Sequence, residues 1–104
     1  MAVIYEVSLS VDRAIEAEYR AWLDEHIRAM RALPGFTSAV LYDVLDPPPP
    51  AGQFAICVRY RVLDQAALET YLREHAPRMR AEGERRFAGR FRASRRVLRS
   101  IAAH

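Results

Sequence analysis

Four stretches of the chain alternate between apolar and polar residues, which is typical of strands that bury one face. The alternation is clean in the first and third stretches and weaker in the second and fourth. The predicted strands span residues 3–11, 36–46, 54–62 and 91–101. Arginines occur on both sides of the fourth stretch, so we predict an edge strand there.

Two longer stretches carry apolar residues at helical spacing. The first helix is predicted over residues 13–33, with Asp12 as its N-cap, and the second over residues 65–88, with Asp64 as its N-cap. Pro77 lies inside the second stretch. A proline within a helix lacks the backbone N–H and crowds the preceding turn. We therefore predict that the second helix is broken near Pro77.

The two predicted helices share a motif. Residues 22–31 read Trp-Leu-Asp-Glu-His-Ile-Arg-Ala-Met-Arg, and residues 71–80 read Tyr-Leu-Arg-Glu-His-Ala-Pro-Arg-Met-Arg. An aromatic residue, Leu, Glu, His, Met and Arg recur in the same order at an offset of 49 positions. An internal repeat at about half the chain length indicates a fold built from two similar units.

The elements follow the order strand, helix, strand, strand, helix, strand, in which each half is a βαβ unit. This order predicts an α+β fold of the ferredoxin-like βαββαβ type, as one domain over residues 1–104. Its four-stranded antiparallel sheet carries both helices on one face and leaves the other face open. We expect Thr37, Leu41 and Leu45 of the second strand on the open face, together with polar residues of the central strands. Those polar residues are Glu6, Ser8, Ser10, Cys57, Arg59 and Arg61.

Composition and charge narrow the class of protein. With one cysteine, Cys57, the chain forms no internal disulfide, and it shows neither a signal peptide nor an apolar run of membrane-spanning length. We therefore expect a cytoplasmic protein with no membrane segment. All 16 basic residues are arginines, and most of them lie in the C-terminal part of the chain. Arginine pairs well with carboxylates and phosphates, so we keep an anionic partner as a hypothesis.

Several segments resemble a bacterial family of domains of unknown function within the dimeric α/β-barrel superfamily. The resemblance is carried by residues 71–80 and by Arg-Phe-Ala-Gly-Arg-Phe-Arg-Ala-Ser-Arg-Arg-Val-Leu at residues 86–98, with residues 4–7, 22–27 and 36–37 in support. It implies a ferredoxin-like protomer that dimerises through the open face of its sheet. It brings no function, because that superfamily includes cofactor-free monooxygenases, haem-degrading enzymes, muconolactone-type isomerases and stress-response binding proteins.

His26 and His75 occupy matching positions in the repeat. A histidine acts as an acid, a base or a ligand near neutral pH. Both residues fall on the apolar stripes of their helices, so we expect core packing for each, with ligand binding as the functional alternative. The spacing of His, Cys and Glu does not suit a metal, and neither a metal site nor a cofactor is expected.

The open sheet face supplies the other candidate ligand-binding residues, Glu6, Ser8, Cys57 and Arg59. In a closed dimer, Glu6 would serve as a base and Arg59 would hold an anionic oxygen. The alternative is a plain salt bridge between the two residues. Cys57 has no histidine predicted beside it, so we interpret it as a packing residue rather than a nucleophile.

RNA-recognition modules share this fold and stack bases on aromatic residues of the exposed sheet face. The third strand presents Ala55, Cys57, Arg59 and Arg61 there, so nucleic acid is not expected as a partner. We expect a small homodimer that binds a small organic ligand, with an anionic ligand kept open. The alternatives are a cofactor-independent enzyme of the monooxygenase or isomerase type and a structural or protein-interaction module without a ligand.

Overall fold

Four strands, three α-helices and one 3₁₀ turn make up the computed structural model, which describes residues 1–104. The strands are β1 (Val3–Asp12), β2 (Phe36–Asp43), β3 (Gln53–Val62) and β4 (Phe91–Leu98). The helices are α1 (Glu16–Arg31), α2 (Gln65–Glu74) and α3 (Ala76–Phe87), and the 3₁₀ turn Arg13–Ile15 precedes α1. None of the helices combines the length and the hydropathy that a membrane crossing requires.

The strands form one antiparallel sheet in the order β2-β3-β1-β4, so β1 and β3 are the central strands. Strand β4 pairs only with β1, which confirms its predicted position at an edge. The order of elements and the pairing of strands confirm the predicted ferredoxin-like α+β fold, with the helices packed against one face. We call this the helix side of the sheet and the opposite side the open face.

Two aspartates begin the helical segments, as their positions predict. The Asp12 carboxylate accepts a hydrogen bond from the Ala14 N–H at 3.0 Å, and the Asp64 carboxylate accepts one from the Ala67 N–H at 2.8 Å. The turn that Asp12 caps is a 3₁₀ turn, and regular α-helix begins only at Glu16. The first helix therefore starts three residues later than predicted.

The predicted break in the second helix is confirmed, and it lies at His75, between α2 and α3. His75 has φ −122° and ψ −33°, so the chain leaves regular helical geometry at this residue. Pro77 falls in the first turn of α3. A proline is tolerated there because its missing N–H would have no acceptor within the helix.

The core lies between the sheet and the helices and contains 18 buried apolar residues in one cluster. In the register of β1 and β3, Tyr5 lies opposite Tyr60 and Leu9 opposite Ile56. All four are at most 6% exposed, which confirms the predicted apolar faces of the two central strands. The burial of large apolar side chains is the main favourable contribution to the stability of such a core.

The predicted sides of β2 are wrong, because a bulge between Phe36 and Ser38 shifts its register against β3. Leu41 lies opposite Val58, so it is on the helix side rather than on the open face. Val40 and Tyr42 lie on the open face instead, opposite residues of β3 that point the same way. A shift of one residue moves every following side chain to the other side of a sheet.

The other two residues that were expected beside Leu41 also lie elsewhere. Thr37 lies within the bulge, where its hydroxyl donates to the carbonyl oxygen of Arg61 at 3.2 Å. Leu45 follows the end of β2 and is 85% exposed. Neither residue therefore contributes to an apolar patch on the open face.

Candidate functional site

A cavity of about 50 Å³ lies between the helices and the sheet, and we call it the inner cavity. Most of its wall is apolar. The polar residues that line it come from the three strands β1, β3 and β4 and from all three helices. They include Tyr5, Tyr19, Tyr60, Tyr71, His26 and Arg80.

A wider depression of about 350 Å³ adjoins the inner cavity at the surface between α1 and α3, and we call it the outer cleft. Both spaces are lined by Trp22, His26 and Met79. These three side chains therefore form the wall between the outer cleft and the inner cavity. The outer cleft also carries Glu25 and Glu82.

Trp22 and His26 lie one turn apart on α1 and stack on each other, with ring centroids 4.7 Å apart and an interplanar angle of 20°. The indole of Trp22 reaches Gly83 on α3, where an added Cβ would lie 2.8 Å from the Trp22 ring. A side chain larger than hydrogen at residue 83 would push the indole away. Gly83 thus lets α3 approach the stacked pair that forms the wall.

Burial is the largest cause that lowers the pKa of His26 below its usual value, and the positive charge of Arg95 lowers it further. The imidazole is therefore neutral at neutral pH and can accept a proton or a hydrogen bond from a bound molecule. His26 was predicted as a core residue with a ligand-binding alternative. It packs on Trp22 and also borders the inner cavity, and ligand binding by His26 stays a prediction.

Three buried tyrosines around the inner cavity, Tyr19, Tyr60 and Tyr71, are neutral phenols. Burial raises the pKa of Tyr71 to about 12, and it also raises the pKa values of Tyr19 and Tyr60. The rings of Tyr5 and Tyr71 meet edge to face at 5.6 Å. Neutral phenols on aromatic rings offer hydrogen bonds to a polar group and an apolar surface to the rest of a ligand.

Arg80 is one of the cavity residues that sequence reasoning missed. Its Nη2 donates to the Tyr5 hydroxyl at 2.8 Å, while its Nε is buried and has no hydrogen-bond partner. The equivalent residue in the first copy of the repeat, Arg31, is exposed at the end of α1. The motif alone therefore contained no signal that one of the two arginines reaches a cavity.

His75 lies away from the inner cavity and the outer cleft. It sits at the junction of α2 and α3, where its Nδ1 is 2.9 Å from the Nη2 of Arg78. The structure therefore does not bring the two repeated histidines together in one site. The role of His75 that the structure supports is local, at the helix junction.

The open face brings together the other predicted residues around Glu6, which is only 3% exposed. Its carboxylate accepts a hydrogen bond from the Arg59 Nε at 2.8 Å and another from the Arg96 Nε at 2.7 Å. The hydrogen bond from Arg96 is the largest cause that lowers the pKa of Glu6. Arg96 was not predicted as a partner, because the alternation in the fourth strand did not fix which arginines share the face with Glu6.

The arrangement on the open face limits what its residues can do chemically. Both carboxylate oxygens of Glu6 are engaged by guanidinium groups, so Glu6 is an ion-paired group rather than a free base. Ser8 lies opposite Cys57 on the neighbouring strand, and Cys57 is 9% exposed. The geometry therefore favours the salt-bridge interpretation of Glu6 and Arg59. No group of three His, Cys, Asp or Glu residues in the chain is arranged to hold a metal ion.

Residues 2–101 match the model of the family described as Domain of unknown function (DUF4286). The match covers nearly the whole chain, so the protein belongs to that family. This confirms the resemblance to a family of domains of unknown function. No curated protein matches the chain in sequence.

Solved structures match the chain over almost its full length. A mutant of SnoaB, a cofactor-independent oxygenase from Streptomyces nogalater, has a TM-score of 0.71 at 13% identity, with 98% of this chain and 95% of that chain covered. Rv0793 from Mycobacterium tuberculosis has a TM-score of 0.66 at 21% identity, with coverages of 99% and 98%. The heme-degrader MhuD from the same organism, solved with two hemes in its active site, has a TM-score of 0.65 at 16% identity, with coverages of 98% and 98%.

At these identities the likeness shows the fold alone. The fold is the ferredoxin-like α+β fold that the chain shares with these solved structures. The oxygenase activity and the bound hemes are properties of those other proteins.

Proposed function

We propose that this domain binds a small organic molecule in the inner cavity and the outer cleft. The observation that carries the proposal is the inner cavity, where phenols, an imidazole and a guanidinium converge within a mostly apolar wall. A concave apolar site with a few convergent polar groups is the usual form of a small-molecule site. The ion-paired residues of the open face, Glu6, Arg59 and Arg96, are not part of this site.

The volumes of the two spaces define how such a ligand would lie. The inner cavity measures about 50 Å³, and about 10–15 Å³ on the same measure is enough for one water molecule. The outer cleft adds about 350 Å³ on the other side of the wall formed by Trp22, His26 and Met79. Met79 is the flexible member of this wall, because methionine is unbranched and adapts to irregular spaces. A ligand would therefore lie mainly in the outer cleft and reach the inner cavity past Met79.

Trp22 is the only tryptophan in the chain, and its indole forms part of the wall. Its single indole N–H resonance in a two-dimensional NMR spectrum therefore reports on occupancy of this site. With a library of small organic fragments, we expect several compounds to shift this resonance and to raise the melting temperature. A library that leaves the resonance unchanged throughout would contradict the proposed site.

A matched pair of variants locates the binding. Ala93 on β4 lines the inner cavity, so Ala93→Met fills it, whereas Ala17→Met places the same side chain on the exposed surface of α1. We expect fragment binding to be lost in the first variant and kept in the second. Equal binding by both variants would place the ligand elsewhere.

His26 favours a second candidate function, a cofactor-independent enzyme. A neutral imidazole at the cavity wall is a suitable general base for a bound hydroquinone. Oxygen uptake with a hydroquinone and no added cofactor, lost in His26→Gln, would support this alternative. Binding without turnover would leave the domain as a binding module.

We also propose that two copies associate through the open face. Val40 and Tyr42 are 48% and 45% exposed there, and a partner would remove this apolar surface from water. The charge of Glu6 is already compensated by Arg59 and Arg96, so the centre of the face can be covered without an unpaired carboxylate.

Light scattering at micromolar concentration tests the dimer, and we expect twice the chain mass of 11.9 kDa. Val40→Glu places a charge on the open face and should give a monomer. Leu41→Glu is the matched control, because Leu41 is 46% exposed on the same strand but lies on the helix side. A monomeric wild-type chain, or two variants that behave alike, would contradict this interface.

A further inference from the structure

Arg80 gives the inner cavity a hydrogen-bond donor that the protein does not use. The Nη2 of this guanidinium is bound to Tyr5, but the Nε is buried without a partner. Arg80 also forms no ion pair with a carboxylate. Buried donors in proteins are almost always paired, because an unpaired one costs the free energy of its lost hydration. An oxygen atom of a bound ligand would supply the missing acceptor.

Arg95, an exposed residue, adds a second positive charge at the rim of the same cavity. It lies on β4 opposite Val7 and therefore on the helix side of the sheet, and it forms no ion pair either. Glu84 is the carboxylate that lines this cavity, and it pairs with neither arginine. Two guanidiniums and one carboxylate leave the inner cavity positive, with His26 neutral.

Two carboxylates and one guanidinium line the outer cleft, those of Glu25, Glu82 and Arg78, and Glu82 also pairs with Arg85 outside the cleft at 3.9 Å. A ligand with one anionic end is therefore favoured with that end inside and its neutral end in the cleft. The wall between the outer cleft and the inner cavity includes Trp22 and Met79, which suit the aromatic body of a ligand. The charges thus fix an orientation as well as a chemical class.

We propose that the natural ligand of this pocket is an aryl carboxylate, with one oxygen accepting from the Nε of Arg80 and the other facing Arg95. This inference rests on the proposed function, because it requires that the pocket binds a ligand. A carboxylate can accept from two guanidiniums with its two oxygens, and Arg80 and Arg95 both line this cavity. Neither Arg80 nor Arg95 takes part in the ion pairs of Glu6 with Arg59 and Arg96 on the open face, so the two charged regions can be mutated separately.

The test compares 2-naphthoate with 2-naphthamide by isothermal titration calorimetry at pH 7.5. The two probes have nearly the same shape, but only the carboxylate is charged. We expect 2-naphthoate to bind at least about tenfold more tightly, which is the size of one charge-assisted hydrogen bond. Equal affinities would overturn the aryl carboxylate and leave the proposed pocket intact. If neither probe binds while uncharged fragments still shift the Trp22 resonance, the aryl carboxylate is overturned and the pocket stands. If no fragment shifts the Trp22 resonance, the pocket itself is refuted.

Single variants assign the effect to the cavity charges. Arg80→Met should weaken 2-naphthoate by about tenfold and 2-naphthamide by much less, since both probes offer an oxygen to the guanidinium but only the carboxylate is charged. Glu84→Gln should tighten 2-naphthoate, because it removes a like charge, and this exposed substitution does not depend on repacking the core. Arg86→Met is the control, because Arg86 is exposed on the same helix, lines neither the inner cavity nor the outer cleft and forms no ion pair. If Arg86→Met weakens 2-naphthoate as much as Arg80→Met does, the assigned contact is wrong.

Discussion

The two copies of the repeated motif have similar sequences and different structures. Residues 22–31 continue without interruption to the end of α1, whereas residues 71–80 are divided at His75 between α2 and α3. In the uninterrupted copy, Arg31 ends on the exposed surface. In the divided copy, Arg80 ends at the inner cavity.

The difference shows what a helical pattern does and does not determine. Apolar spacing determines which face of a helix meets the sheet, and Leu23 and Leu68 are buried as that spacing predicts. The change of direction at His75 then places the residues that follow it independently of the face set by α2. The inner cavity lies between the two copies, with Trp22, His26 and Met30 of the first copy and Tyr71, Met79 and Arg80 of the second in its wall.

The largest expected effect concerns the two methionines. Met30 is 1% exposed, so Met30→Ala should lower the free energy of unfolding by about 2–5 kcal/mol, as for other buried methionines. Met79 is only partly buried at the cavity wall, so Met79→Ala should cost less than half as much. Urea denaturation of the two variants measures the difference. Equal losses would show that the cavity wall is packed as tightly as the core.

A smaller effect is expected at the first position of the motif. Trp22→Phe removes part of a ring that packs on His26 and Gly83, and it should cost about 1 kcal/mol. Tyr71→Phe keeps the buried ring and removes a hydroxyl that faces the inner cavity, so it should change stability by no more than about 0.5 kcal/mol. Thermal denaturation is sufficient to rank the two variants by stability. A larger loss in Tyr71→Phe would mean that the hydroxyl is held by a strong internal hydrogen bond.

The smallest effect distinguishes the two histidines by pH. Burial lowers the pKa of His26, so the folded state binds the proton less readily than the unfolded state does. The folded state therefore has its full stability above the unfolded pKa of about 6.5. Its stability decreases as the pH falls below that value, because protonation of His26 favours the unfolded state. His26→Gln should reduce this decrease between pH 7 and 5, and His75→Gln should keep it. Parallel curves for the wild type and His26→Gln would contradict the burial of the imidazole.

Much of the fold could be predicted from the sequence because its central strands alternate cleanly. Tyr5 and Leu9 face the helices and Glu6 faces away, as their period of two requires. The bulge in β2 could not be predicted, since its residues are apolar on both sides and either register fits the pattern. Once the register is shifted, Leu41 and Val40 exchange sides.

The candidate sites were harder to predict, because arginine side chains are long and amphipathic. Arg59 was placed correctly beside Glu6, since both lie on clean central strands. Arg80 and Arg96 were missed, because one follows a helix break and the other lies on a strand with arginines on both sides. The contact between Trp22 and His26 could have been predicted from the sequence, because residues four apart on a helix are neighbours.

A crystal structure of the protein with 2-naphthoate is the most direct test of the pocket between the sheet and the helices. We predict density for the naphthyl group beside Trp22 and Met79, with a carboxylate oxygen at about 2.9 Å from the Nε of Arg80. Density on the open face, beside Arg59 and Arg96, with the inner cavity unchanged, would contradict the account.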